Sequence, residues 1–183
     1  MYSGPMFFGT PRQGNLTTGT FLFDTTTSMT SVTNNSCSTC PSQYYNSSTS
    51  SSAVQNNSTL YANTTQNTLM NGEVTVNGSV YNEVACINDT DAWSCTDKSF
   101  PIFVIDSMTE ETNKKLSNID GVLGFGPPTG NKTHAGNNDT SYILSLFNER
   151  KIADPILAIN MNYNDLSTSY VVIGSRPFAN SGK

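Results

Sequence analysis

The sequence predicts a mostly β domain carrying one or two short helices, and three observations lead to that class. Apolar residues come in short extended runs divided by Gly, Pro, Asn and Asp. Period-two alternation on both sides of Asn77-Gly78 has the pattern of a β-hairpin. Only one stretch, 141–151, carries apolar residues at helical spacing.

Element by element, Met6-Phe7-Phe8 runs into a turn at Gly9-Thr10-Pro11, and Gly14 to Gly19 has the composition of a hairpin tip. Thr20-Phe21-Leu22-Phe23 then enters Asp24, and a Thr/Ser-rich strand continues to Val32. Residues 41–59, almost all Ser, Asn, Thr and Tyr, predict a loop. The hairpin Glu73–Tyr81 follows, turning at Asn77-Gly78. Phe100 to Ile105 predicts a buried strand, and Val122-Leu123-Gly124-Phe125-Gly126 another that stops at Pro127-Pro128. In the helix, Ile143, Leu146 and Phe147 share one face behind a cap at Thr140. Strands at Pro155–Met161 and Ser169–Gly174 close the chain, and with no internal repeat or linker, residues 1–183 read as one domain.

Composition narrows the setting. Charged residues make up 13% of the chain, against roughly a quarter in ordinary soluble domains. Ser, Thr and Asn number 23, 24 and 22 among the 183 residues, so small neutral polar groups replace charge. A net charge of -5 excludes nucleic acid and anionic membrane surfaces as natural partners. No apolar run approaches the 18 or so residues of a membrane span. With no signal peptide at its start, the chain is expected to open a mature protein or an excerpt of one.

The acceptor pattern Asn-x-Ser/Thr occurs ten times, at Asn15, Asn34, Asn46, Asn56, Asn57, Asn63, Asn77, Asn88, Asn131 and Asn138. Composition alone accounts for roughly six such triplets, so the argument rests on their combination with a charge-poor surface that hydrated N-linked glycans would keep soluble. Secretion is the implied compartment. Four cysteines fall in two local pairs, Cys37/Cys40 and Cys86/Cys95; of three formal connectivities, local disulfides are favoured in an oxidising compartment. A second Cys-x-x-Cys is missing and His134 is the sole histidine, so no metal site is expected, nor any cofactor beyond the glycans.

The order of landmarks resembles the N-terminal lobe of a pepsin-like aspartic protease from end to end. Tyr2 and Gly9-Thr10-Pro11-Arg12-Gln13 are similar to that family's opening strand and turn, and Phe23-Asp24-Thr25-Thr26-Thr27-Ser28 stands where the family has Phe-Asp-Thr-Gly-Ser-Ser. Cys37/Cys40 falls at a small disulfide loop, Tyr61 is similar to the flap tyrosine, and Asp120-Gly121-Val122-Leu123-Gly124 resembles Asp-Gly-Ile-Leu-Gly. The helix before Lys151-Ile152 and the closing Val171-Val172-Ile173-Gly174 complete the order.

The resemblance implies a single pepsin-like lobe, with Asp24 as one catalytic aspartate and Tyr61 in the flap position. Family catalysis uses two aspartates, one per lobe, that share a proton and activate a water. Here Asp24 is the sole matching aspartate, and Thr26 replaces the motif's glycine, where a β-branched side chain is expected to crowd the loop. Asp106-Ser107, after an apolar strand, reads as a strand-end turn. Two functions from different classes follow. One is a vestigial protease domain serving as an extracellular structural or adhesive glycoprotein, in filaments or a surface coat; the other is an aspartic endopeptidase, as one lobe of two or as a half-sized enzyme working as a dimer. A lobe standing alone is further expected to expose Met6, Phe7 and Phe8 and the strand Tyr170–Ile173, and to pair through them with another protein or another copy.

Overall fold

The computed structural model describes residues 3–9, 17–68, 72–88, 91–108, 119–128, 141–162, 164–165 and 168–174, with side chains for all of these except 17, 57–68 and 72–75. Tyr2, the turn at 10–13, residues 14–16 of the expected tip with Asn15, Asn131, His134, Asn138 and Thr140 lie outside the described residues, while residues 17–19 of that tip belong to a strand.

Ten strands and one α-helix form the described framework. β1 (Ser3–Phe8) pairs antiparallel with β2 (Thr17–Asp24), Phe8 opposite Thr17, and its far edge meets the short β6 (Ala85–Cys86) at Phe7 and Phe8. β3 (Thr30–Thr33), β4 (Val54–Thr68), β5 (Gly72–Glu83), β7 (Phe100–Met108) and β8 (Gly121–Gly124) complete an eight-stranded mixed sheet in the order β4-β5-β7-β3-β8-β2-β1-β6. Two pairs in it run parallel, β2 with β8 and β3 with β7. Strands β9 (Leu157–Asn160) and β10 (Tyr170–Ile173) make a separate antiparallel pair.

The core lies where these strands present bulky apolar side chains to α1 (Tyr142–Asn148). Met6, Phe8, Phe21, Val32, Tyr45, Phe100, Ile102, Leu123, Tyr142 and Leu146 form it, joined by edge-to-face ring contacts such as Phe8–Phe21 and Phe100–Tyr142. Met6 and Phe8 are therefore core residues and Phe7 is half-buried, which corrects the expectation that this segment exposes an apolar face. The reason is topological: β1 is sandwiched between β2 and β6.

Three further expectations are corrected. The stretch 41–59 is not all loop, since its last residues from Val54 belong to β4. Asn77-Gly78 is not a turn but the middle of β5; β4 and β5 do form a hairpin, yet their last paired residues are Thr68 and Gly72. The helix is capped by Ser141, whose Oγ accepts from the N–H of Leu144, and it ends before 151. Its end is set by Arg150, which takes the left-handed φ of 58°, while the N–H of Lys151 returns to the carbonyl of Leu146. That turn brings Lys151 Nζ to the Cys95 carbonyl and to Asp97 and Glu149. Burial alone would lower its basicity; the hydrogen bonds and charges of the two carboxylates outweigh this and leave it raised.

Disulfides join Cys37 to Cys40 and Cys86 to Cys95.

Candidate functional site

Asp24 ends β2 opposite Gly124, the last residue of the parallel neighbour β8, so two chain exits lie side by side at one end of the sheet. After Asp24 the chain folds over the end of β8 before entering β3. The fold-over is fixed by main-chain bonds from Phe125 N–H to the Asp24 carbonyl and from Gly126 N–H to the Thr27 carbonyl, both 2.8 Å. It requires glycine at 124, where a Cβ would stand 2.4 Å from the Ser28 carbonyl oxygen. The Gly-rich run after Asp120 thus keeps β8 low enough for the Asp24 loop to cross it.

Asp24 is only 5% exposed. Among the described residues, its Oδ1 accepts from the Thr26 N–H at 2.7 Å and from the Thr26 hydroxyl at 2.6 Å. A backbone donor plus a hydroxyl fix the carboxyl plane against the loop. Thr26 itself is exposed, and Arg150 is the sole non-glycine residue with positive φ among the described residues. The loop's backbone therefore takes threonine at 26 without a left-handed φ. Its hydroxyl is an extra ligand for Asp24 that glycine would not supply.

The other acidic candidate stands elsewhere. Asp106, near the end of β7, is exposed and accepts from the Asn34 side-chain amide at 2.6 Å. Asn34 follows β3 at the end opposite the Asp24 loop, so the two aspartates occupy different ends of the sheet. Tyr61 lies on β4 in register with Gly78 of β5, and its side chain is outside the described residues, as are those of Asn57 and Asn63. Among the remaining acceptor asparagines, Asn77 is exposed and Asn34, Asn46, Asn56 and Asn88 are half-buried. In the triplet Asn46-Ser47-Ser48, Asn46 Oδ1 accepts both the N–H and the hydroxyl of Ser48. Among the described residues, no cluster of three or more His, Cys, Asp or Glu is placed to hold a metal, and no helix is long and apolar enough to cross a membrane.

One polar cluster escapes a reading by motif. Glu83, fully buried at the end of β5, accepts from the Tyr45 hydroxyl (2.6 Å), the Ser52 hydroxyl and the Val84 N–H (2.8 Å). Burial first, then the Glu83 charge and hydrogen bond, push the Tyr45 phenol above its ordinary range. The cluster ties the loop before β4 to the end of β5 and so clasps the base of the β4–β5 hairpin that carries Tyr61. Glu83 sits in an alternating stretch with nothing to mark it as inward-facing; its partners lie 38 and 31 residues away.

No curated protein matches the chain in sequence. The family model for eukaryotic aspartyl protease matches residues 1–179. That family's chemistry needs no cofactor, since paired carboxylates and a water suffice. The match spans nearly the whole sequence and is consistent with the mostly β fold and its large mixed sheet; the chain belongs to the eukaryotic aspartyl protease family.

Proposed function

We propose that this chain is a non-catalytic, secreted and N-glycosylated member of its family, serving as an extracellular structural or adhesive domain. The observation that carries the reading is the state of Asp24: one family-type carboxylate, with Oδ1 held by both the N–H and the hydroxyl of Thr26, in the motif Asp-Thr-Thr. Catalysis in this family needs two such carboxylates sharing one proton, and within residues 1–183 Asp24 is the sole match to the motif. The ten acceptor triplets, the charge-poor composition and the two disulfides support an extracellular setting. Pairing with another protein or another copy belongs to the same reading, and β10 supports it: it pairs with β9 along one edge, and Tyr170 at its start is 47% exposed.

The test is a peptidase assay on an unstructured protein substrate from pH 2 to 7. No cleavage is expected from the 183-residue chain, and Thr26→Gly should not create any. Cleavage that a statine-type transition-state mimic inhibits and Asp24→Ala abolishes would establish the second reading, an aspartic endopeptidase assembled from two lobes or two copies. The buried placement of Asp24 at paired parallel strand ends is the observation that favours that alternative.

A further inference from the structure

The eight-stranded sheet has two outer strands, β6 and β4. An outer strand shows a row of unpaired N–H and C=O groups that invites a strand of another chain, and proteins blunt such edges by brevity, charge, proline or bulges. β6 is blunted by brevity: it is two residues long, and its Cys86 is bridged to Cys95. β4 is 15 residues long, and Val54–Thr68 contains no Asp, Glu, Lys, Arg or Pro. Two shifts in register bend it, but Thr64–Thr68 then pairs residue for residue with Val76–Gly72 as regular strand. Among the described residues, nothing pairs with the outer side of β4. Three of the ten acceptor triplets begin in this strand, at Asn56, Asn57 and Asn63, where an even spread along the chain would put about one. The outer strand that lacks charge is thus rich in sugar sites.

We propose that N-linked glycans on β4 guard this sheet edge, and that without them two copies of the chain pair through it, Thr64–Thr68 of one against the same run of the other. The proposal rests on the reading of the protein as a secreted glycoprotein and gives the sugars of one strand a task. In the modification, the asparagine amide nitrogen attacks the anomeric carbon of a polyprenyl-diphosphate-linked oligosaccharide. The bond from that carbon to the diphosphate breaks, the N-glycosidic bond forms, and one amide proton leaves with the diphosphate product. A strand added to the edge would lie about 4.8 Å from β4. A glycan on β4 is bulky and hydrated, so admitting that strand means displacing sugar and stripping water. The occupant of the bare edge is a second copy for two reasons. A segment laid antiparallel on itself about a two-fold axis pairs every residue it offers, and such a contact closes at two. Each chain has a net charge of -5, yet the strand brings no charge of its own, so no like charges face each other within the paired run.

Size-exclusion chromatography with light scattering on the secreted protein tests this, beside glycopeptide mass spectrometry that should find sugar in β4. Asn56→Gln/Asn57→Gln/Asn63→Gln should about double the protein mass of the wild-type particle, and the amides of Thr64–Thr68 should exchange more slowly than in wild type. Ser58→Ala/Thr59→Ala/Thr65→Ala removes the same sugars while keeping the asparagines, and should do the same. Adding Gln66→Lys to either variant places a charge in the pairing run and should restore the wild-type mass. Asn46→Gln should leave the mass unchanged. Bare β4 asparagines while other acceptor sites carry sugar overturn the proposal and leave the glycoprotein reading standing. Unchanged mass after loss of the β4 sugars overturns it as well, as does a doubling that Gln66→Lys fails to reverse or that Asn46→Gln equals. Bare asparagine at all ten sites overturns both.

Discussion

Glu83 shows what a single residue contributes to this fold. Its carboxylate has zero exposure and three donors, from Tyr45, Ser52 and Val84, so removing it strands three polar groups in the interior. Glu83→Ala is expected to cost about 3–5 kcal/mol, the range for breaking a buried charged network. Glu83→Gln should cost less, about 1–3 kcal/mol: the amide oxygen can still serve Ser52 and Val84 while the Tyr45 hydroxyl turns round to accept. Denaturant unfolding at neutral pH measures both, and a Glu83→Ala protein within 0.5 kcal/mol of wild type would contradict the assignment. Asp24 and the cysteine pairs were legible in the sequence because each sits in a short local pattern. Glu83 was not, because in an alternating strand a glutamate occupies what normally is the solvent face. Only long-range pairing, invisible to local pattern, turned it inward.

At the scale of elements, sequence patterning located most strands, yet read the start of β4, the longest of them, as loop and misjudged the strongest hairpin signal. Asn77-Gly78 has the composition of a tight turn, but that composition also suits a place where one backbone must approach another. Gly78 lies in β5 opposite Ile105 of β7, at a shift in register after Asn77. A Cβ there would stand 2.0 Å from the Val104 carbonyl oxygen. Turn and close approach predict different mutational patterns. In a two-residue turn both positions matter; in the observed strand, Gly78→Ala must push β5 off β7 and is expected to cost about 2–4 kcal/mol. Asn77→Ala, at an exposed site, should stay within about 0.5 kcal/mol. Thermal or denaturant unfolding of the two variants decides between them, and comparable losses at both positions would favour the turn. The helix was found and its end misplaced for a similar reason: the apolar stripe says where a helix packs, whereas the left-handed Arg150 that stops it carries no apolar signal.

Across the whole molecule, the few ionisable groups that are buried set how stability responds to pH, and the sharpest response lies on the alkaline side. Tyr45 and Tyr142 are almost wholly buried, and both phenols are raised above the ordinary value of 10.0. Desolvation is the leading cause for each; the Glu83 charge adds to it at Tyr45, and at Tyr142 the Ile87 N–H works against it. Tyr44, half-buried, is raised by burial and then by Asp120. A group whose folded-state pKa lies above its unfolded value contributes stability that is whole below the unfolded value and is lost as pH climbs past it. Each tyrosine that stays protonated in the fold while ionising in the unfolded chain therefore takes away about 1.4 kcal/mol per pH unit above 10. Three together come to about 4 kcal/mol per unit, against a total stability of about 5–15 kcal/mol for a domain of ordinary kind. Lys151, also raised, acts in the same direction, since its ties to Asp97 and Glu149 vanish once the ammonium is lost. The expected outcome is cooperative unfolding within about one to three pH units above 10, with tyrosinate absorbance and far-UV circular dichroism changing together. Tyr142→Phe should flatten the alkaline slope by about 1.4 kcal/mol per pH unit while lowering stability at neutral pH, because its hydroxyl bridges the Ser94 carbonyl and the Ile87 N–H. Tyrosines that titrate smoothly near 10 in a protein whose circular dichroism does not change would show that these phenols are not held neutral by the fold.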